Sequence, residues 1–108
     1  MGRVALFTLL GWLLAVPALM AGESVEQVII KEYKFLPAEI TVKVGTTIRW
    51  LNQEKRQYHS VWFEAAGDPE PDYFFPEESY ERTFDKPGTY TYRCGPHDYM
   101  KGVVKVVE

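Results

Sequence analysis

The chain has 108 residues, of which 46% are hydrophobic and 25% charged, and its formal net charge is −3. This length and apolar content suit one domain with one core, and the mild acidity argues against a nucleic-acid partner. The single cysteine, Cys94, excludes an internal disulfide, so its thiol needs another reason to persist in an oxidising compartment.

The first 21 residues differ in kind from the rest. Arg3 precedes an uncharged apolar run over 4–21, which Pro17 interrupts near the small residues Ala18 and Ala21. This layout predicts a secretory signal peptide over 1–21, cleaved to leave a domain over 22–108. An uncleaved anchor is the alternative, because the run almost spans a bilayer. The short apolar core and its proline favour cleavage, export to the periplasm and no stable membrane insertion.

The rest of the chain is typical of β-structure. Runs with strand-like alternation or apolar content are 25–34, 39–44, 47–52, 60–63, 79–84, 89–94 and 102–107. Turn signals separate them, as in 86–88, where a proline precedes a glycine. The segment 65–78 is predicted to be a long loop. No helical period is sustained, so we predict an all-β sandwich or barrel. Trp50 is expected in its core, and Tyr90 in the core or in a corner hydrogen bond.

The loop segment 64–81 concentrates negative charge. It holds seven acidic residues and neither Lys nor Arg. The simpler interpretation is a solvated loop face, and the alternative is a surface that steers a basic partner.

Cys94, His97 and Met100 place a thiolate, an imidazole and a thioether at three-residue spacing in one loop. This donor set is soft and favours copper. The other histidine of the chain, His59, lies 35 residues before Cys94 at the start of an apolar run. Loops from different strands meet at one end of a sandwich, so His59 can complete the site.

Two imidazoles and one thiolate with a weak thioether form the arrangement of blue-copper electron-transfer sites. A zinc site with these ligands is the alternative, but a thioether is a poor zinc ligand. A copper enzyme would need further metal centres, and two histidines cannot supply another one. The ligand set therefore favours a non-enzymatic site that binds one copper per chain.

At this point the chain resembles the cupredoxins, the type 1 blue copper proteins, and within them the amicyanin branch. The resemblance covers nearly all of 28–108 and rests on four segments: 33–42, 44–52, 59–61 and 84–100. It implies a Greek-key β-sandwich with copper at one end. It also implies four ligands: His59, Cys94, His97 and Met100. The short Cys-x-x-His-x-x-Met spacing is that of amicyanins, whereas plastocyanins, azurins and pseudoazurins space these ligands more widely.

The resemblance also sets expectations for the neighbours of the ligands. The backbone N–H of Ser60 should donate to the Cys94 sulfur, but a side-chain link from Ser60 to the next loop residue is in question, because that residue is Gly95. Pro96 lacks an N–H, so no second amide bond to the sulfur is expected. Tyr58 replaces a proline common before the first histidine.

The function that follows is a periplasmic carrier of one electron between redox partners. The donor and acceptor are expected to be redox proteins such as a dehydrogenase, a cytochrome or an oxidase, and the carrier a monomer. Electrons are expected to pass through an apolar patch around His97, to which Pro96 and Tyr99 contribute. The alternative is a copper-handling protein that buffers or delivers the metal in copper tolerance. Such proteins often carry Met- or His-rich segments, which residues 22–108 lack.

Overall fold

The structure, a computed structural model, describes residues 24–108, and the predicted signal peptide over 1–21 lies outside them. The described part forms strands β1 (Val25–Lys31), β2 (Lys34–Leu36), β3 (Glu39–Lys43), β4 (Thr46–Asn52), β5 (Ser79–Phe84), β6 (Gly88–Arg93) and β7 (Lys101–Val107). One turn of 3-10 helix, Glu64–Ala66, interrupts the long β4–β5 connection. Among these residues, no helix has the length and apolarity needed to cross a bilayer.

The strands form two sheets, with the orders β2-β1-β4-β5 and β3-β7-β6. Parallel pairs, β1 with β4 and β3 with β7, sit beside antiparallel ones, because the chain changes sheet after β2, β3 and β5. The inner faces of both sheets supply one core, in which Val28, Ile48 and Trp50 from the first sheet and Tyr92 and Val104 from the second are buried. The predicted all-β sandwich is confirmed.

Two predicted strands differ from the structure. The run 60–63 forms no strand and makes only isolated bridges, His59 with Phe74 and Trp62 with Arg93. Val61 and Phe63 are buried in the core, where Phe63 contacts Trp50 of the first sheet and Tyr92 of the second, and this packing explains the strand-like apolar pattern. The run 25–34 is divided by a two-residue turn, since Glu32 and Tyr33 both have positive φ, 53° and 59°. That combination is a hairpin turn of type I′.

Trp50 and Tyr92 tie the two sheets together in the core. The indole Nε1–H of Trp50 donates to the Tyr92 hydroxyl at 3.1 Å, and the rings meet edge to face at 5.4 Å. Burial raises the pKa of Tyr92 to about 12, partly offset by the bond from Trp50. Gly102 faces the Tyr92 ring so closely that a Cβ there would overlap it, so the β6–β7 pair depends on glycine at this position.

Tyr90 makes the predicted corner hydrogen bond. Its hydroxyl donates to the Lys86 carbonyl at 2.7 Å, which holds the β5–β6 turn as tyrosine corners do in other sandwiches.

The topology brings the candidate ligands to one end. Strands β6 and β7 pair as far as Arg93 and Lys101, so the loop 94–100 closes the end of the second sheet. The β4–β5 connection leaves the first sheet, and the bridge from Trp62 to Arg93 brings it against β6. His59, three residues before Trp62, therefore lies over Cys94.

Candidate metal centre

The loop 94–100 is held by its own backbone. The Cys94 N–H donates to the Met100 carbonyl and the Met100 N–H to the His97 carbonyl, both at 3.0 Å. These bonds close a compact loop that brings Cys94, His97 and Met100 close together. The Cys94 side chain is buried and His97 is half-buried.

Three of the four sequence-predicted ligands bring their donor atoms together. Cys94 Sγ lies 3.5 Å from His59 Nδ1 and 3.7 Å from His97 Nδ1, and the two Nδ1 atoms are 3.2 Å apart. Among residues 24–108 this is the one group of His, Cys, Asp and Glu side chains whose ligand atoms converge in this way. The three donor atoms form a triangle of two nitrogens and one sulfur, with no carboxylate oxygen among them.

The size of this triangle fits a metal ion. Metal–nitrogen bonds of about 2.0–2.1 Å and a metal–sulfur bond of about 2.3 Å, at angles between roughly 100° and 120°, place the donors roughly 3.1–3.8 Å from one another. The observed separations of 3.2, 3.5 and 3.7 Å lie in this range. Thiolate and imidazole donors suit copper better than the hard cations, which prefer oxygen.

Met100, the fourth predicted ligand, ends the loop with a buried side chain that is 2% exposed. Its backbone bonds to His97 and Cys94 keep the residue next to these two ligands in the loop. An unbranched thioether there either fills core volume or approaches the site from one side.

The Cys94 sulfur is fully buried, and its neighbours are nitrogen atoms. Burial raises the pKa of this thiol, while the N–H groups of Ser60 and His97 and the Arg93 guanidinium oppose that rise. The Ser60 N–H points at Sγ at 3.4 Å, as predicted. Among residues 24–108 this is the one backbone N–H with hydrogen-bond geometry to Sγ, as expected from Pro96, which has no N–H to donate. Metal binding must therefore displace a proton.

The link between Ser60 and the ligand loop, which the sequence left in question, is present in another form. The Gly95 N–H donates to Ser60 Oγ at 2.8 Å, so a backbone donor replaces a side-chain one. A Cβ at Gly95 would overlap Ser60 Oγ and the Glu70 carboxylate. Glycine after Cys94 thus allows the β4–β5 connection to lie directly on the ligand loop.

Glu54 orients His59, a role that the sequence did not predict. Its Oε2 accepts from His59 Nε2 at 2.9 Å, and its carboxylate also accepts from the N–H groups of Glu32 and Tyr33 at 3.2 and 2.7 Å. Burial alone would raise the pKa of Glu54, but the bonds from Tyr33, His59 and Glu32 hold it below its usual value. The available signal was a carboxylate five residues before a candidate ligand, since metal-binding histidines commonly donate their other N–H to one.

The ionisation of His59 follows from this contact. Burial lowers the pKa of His59, and His97 lowers it further, although Glu54 opposes both. A neutral ring that donates from Nε2 to a carboxylate keeps its Nδ1 lone pair free. That lone pair faces Cys94 Sγ, so the tautomer suits metal binding.

Arg93 anchors the ligand loop from outside. Its guanidinium donates to the Gly95 carbonyl at 2.8 Å and the Cys94 carbonyl at 3.1 Å, and it pairs with Glu64 at 3.1 Å. It lies 4.8 Å from the Trp62 ring centroid. Trp62, half-buried, therefore supports this arginine, a role that its sequence context did not indicate.

Aromatic rings surround His97 where it reaches the surface. The Tyr33 ring meets it edge-on at 5.0 Å, and the rings of Tyr58 and Tyr99 are each centred 6.2 Å away. Tyr99 was predicted here, whereas Tyr33, from the distant β1–β2 turn, was not. Pro96 is half-buried and Asp98 is exposed beside the ring.

Comparison with known proteins agrees with this geometry. Residues 23–107 match the copper binding proteins of the plastocyanin/azurin family. Amicyanin-alpha of Methylorubrum extorquens is 37% identical over 100 residues, which are 89% of this chain and 82% of that protein. Amicyanin of Paracoccus denitrificans is 40% identical over 81 residues, 71% of this chain, and the match spans 61% of that protein.

The crystal structure of amicyanin from Paracoccus versutus superposes with a TM-score of 0.71 at 34% identity, covering 76% of this chain and 80% of that one. Fold, donor set and relatives thus agree, and the resemblance to the amicyanin branch of the cupredoxins is confirmed. The chain belongs to the plastocyanin/azurin family of copper-binding proteins, and copper is its cofactor.

Proposed function

We propose that this chain is a carrier of single electrons, in which His59, Cys94 and His97 would hold copper with Met100 as a fourth, weaker ligand. The observation that carries the proposal is the convergence of two imidazole nitrogens and one sulfur within 3.2–3.7 Å on a rigid frame. Copper bound there supplies a one-electron Cu(II)/Cu(I) couple, because this donor set is acceptable to both oxidation states.

The protein contributes rigidity. Glu54 fixes the His59 ring, Arg93 fixes the carbonyls of the ligand loop, and Ser60 holds both the Cys94 sulfur and the Gly95 N–H. Donor atoms held by such a network move little when the charge at their centre changes by one. Small rearrangement is the requirement for fast electron transfer.

Access to the site is limited to one ligand. His59 and Cys94 are fully buried, whereas His97 is half-buried among aromatic rings. We infer that electrons enter and leave through the His97 ring and that the apolar surface around it, which includes Pro96 and Tyr99, meets the redox partners.

The place of action follows from the N-terminus. The signal-peptide pattern over 1–21 supports export to the periplasm and cleavage, after which residues 22–108 act as a diffusible monomer. The expected donor and acceptor are redox proteins, such as a dehydrogenase, a cytochrome or an oxidase. Two histidines do not supply a second metal centre, so we propose no catalysis by this chain alone.

The decisive experiment is spectroscopic. We expect purified protein loaded with Cu(II) to show an intense visible absorption band from sulfur-to-copper charge transfer, which ascorbate bleaches. Cys94→Ser should abolish the band, whereas Met100→Leu should keep it with a changed reduction potential. A colourless Cu(II) adduct would refute the assignment, and a Met100→Leu protein with unchanged spectrum and potential would remove Met100 from the ligand set.

Copper handling in copper tolerance is the second candidate, because it uses the same ligands. The absence of Met- or His-rich segments over 22–108 favours the carrier. A deletion strain separates the two. Loss of respiratory or dehydrogenase activity with normal copper tolerance is expected for a carrier, whereas copper sensitivity with intact electron flow would establish the alternative.

A further inference from the structure

Exposed aromatic side chains are concentrated beside His97. Of the large hydrophobic residues exposed in the described part, half lie in this group: Tyr58 39%, Tyr73 42%, Phe75 51% and Tyr99 64%. Exposed apolar surface gathered in one place marks an interaction site more often than isolated exposed residues do. Three of the four belong to the β4–β5 connection.

These three rings form one wall of a cleft. Tyr58, Pro71, Asp72, Tyr73 and Phe75 line a volume of about 460 Å³, which we call the Asp72 cleft. Tyr58 and Tyr73 stack at 5.1 Å with 14° between their planes, and Phe75 meets Tyr58 edge-on at 5.6 Å. Tyr58 also stacks on the His97 ring at 6.2 Å. A group bound in the cleft is therefore one ring away from the ligand His97.

The segment 64–81, which supplies four of the five residues that line the cleft, carries only negative charges. Within the described residues, three acids of the segment 64–81 form ion pairs with arginines: Glu64, Asp68 and Glu81. The remaining four have no such pair among these residues: Asp72 lines the cleft, Glu70 and Glu78 bond to its Tyr73 and Phe75, and Glu77 is a neighbour in sequence. Arginines therefore balance one part of the acidic segment, and the part that contributes to the cleft keeps its charge. A solvated loop face alone does not require this distribution.

Acids and aromatic rings are also linked there. The Tyr73 hydroxyl donates to Glu70 at 3.4 Å, and the Phe75 N–H donates to the Glu78 carboxylate at 2.8 Å. These contacts hold the rings and the carboxylates in one surface.

We propose that the Asp72 cleft binds a Lys or Arg side chain of a basic redox partner. The aliphatic stem of such a side chain covers the rings, its cation lies over an aromatic face, and Asp72 supplies the opposite charge. The four unpaired acids raise the encounter rate of a positively charged protein. The proposal rests on the proposed function, since it names the class of partner that meets the His97 side.

The test uses the copper-loaded, reduced protein and a mitochondrial cytochrome c, whose surface is strongly basic, as the probe. In a titration followed by amide NMR, we expect the shift changes to centre on Tyr58, residues 72–75 and His97. Raising the ionic strength from about 20 to 200 mM should weaken binding, because the Debye length shortens. Asp72→Asn and Tyr73→Leu should each weaken it about two- to fivefold.

Glu26→Gln is the matched control. It makes the same charge change as Asp72→Asn on exposed Glu26, which lies at the opposite end of β1 from the Tyr33 turn. The Glu26→Gln variant should bind the cytochrome with the same affinity as the unmodified protein. Equal affinities for Asp72→Asn, Tyr73→Leu and Glu26→Gln would overturn the proposal. Shift changes centred on Lys55 and Arg56, the two cations shortly before Tyr58 in sequence, would do the same.

Oxidation by ferricyanide distinguishes a failure of the docking proposal from a failure of the proposed carrier function. It reports electron transfer from copper to a small anion that does not need the cleft. If the reduced protein is reoxidised by ferricyanide and regains its visible band while the cytochrome binds elsewhere, only the docking proposal fails. If the band never returns, the carrier function itself is wrong.

Discussion

The two histidines of the site lie in contrasting surroundings. His59 is fully buried, its Nε2 is bonded to Glu54, and it is delivered by a connection that is locked to Phe74 by a backbone bridge. His97 is half-buried in a seven-residue loop, and its neighbours are aromatic rings rather than a carboxylate. The same ligand type is thus built in twice, once on the interior side and once on the surface side.

This difference assigns separate tasks to the two histidines: His59 is held rigidly in the interior, and His97 is accessible to a partner. The interior side has a network from the β1–β2 turn through Glu54 to His59, in which each polar group has a partner. The surface side is held through backbone carbonyls, by Arg93, and leaves its ring free to face a partner. If the division is correct, equal substitutions on the two sides should have unequal results.

The largest contrast is expected when each histidine is replaced by glycine. His97→Gly opens a gap that reaches solvent, so added imidazole should enter it and restore the visible band of the Cu(II) protein. His59→Gly opens a gap in the interior, and imidazole should not restore the band. Absorption spectra of both variants, recorded during an imidazole titration, measure this. Rescue of both variants, or of His59→Gly alone, would show that the interior side is not closed.

A smaller effect is expected from Glu54, which touches the ligand and not the metal. Loss of such an outer partner commonly weakens metal affinity by about 10- to 100-fold. Glu54→Ala should approach the upper value, and Glu54→Gln the lower one, because an amide oxygen still accepts from His59 Nε2. Competition with a copper chelator gives the affinities. Glu32→Gln, which removes an exposed charge from the same turn, should change them little; an equal loss there would indicate a general charge effect.

Much of the fold was predictable because it follows from local chemistry. Strands β3, β4 and β7 show alternation in the sequence, and the prolyl-glycyl turn at 86–88 has its own mechanism. The run 60–63 could not be distinguished from a strand. Its apolar residues are buried because Phe63 packs between the two sheets, which is a tertiary circumstance.

The site divides in the same way. Cys94, His97 and Met100 are close in sequence, so their spacing reveals them, and His59 follows because it is the only other histidine. Glu54 and Tyr33 reach the site from a loop and a distant turn, and nothing local marks them. Gly95 shows a different limit. Its missing side chain puts the link to Ser60 in question, whereas its backbone N–H makes that link.

The core beneath both sides offers a test in which copper plays no part. Burial raises the pKa of Tyr92 to about 12, against about 10 in an unfolded chain. A raised tyrosine pKa means that the folded state keeps the proton which the unfolded state loses, so the stabilisation is complete below pH 10 and declines as the pH rises toward 12. The free energy of unfolding of the copper-free protein should fall by about 1.4 kcal/mol per pH unit in that window. Denaturant unfolding at several pH values measures the slope. Tyr92→Phe should flatten this slope. It should leave the difference in imidazole rescue between His97→Gly and His59→Gly unchanged. If the Tyr92→Phe slope equals that of the unmodified protein, another group titrates in this window.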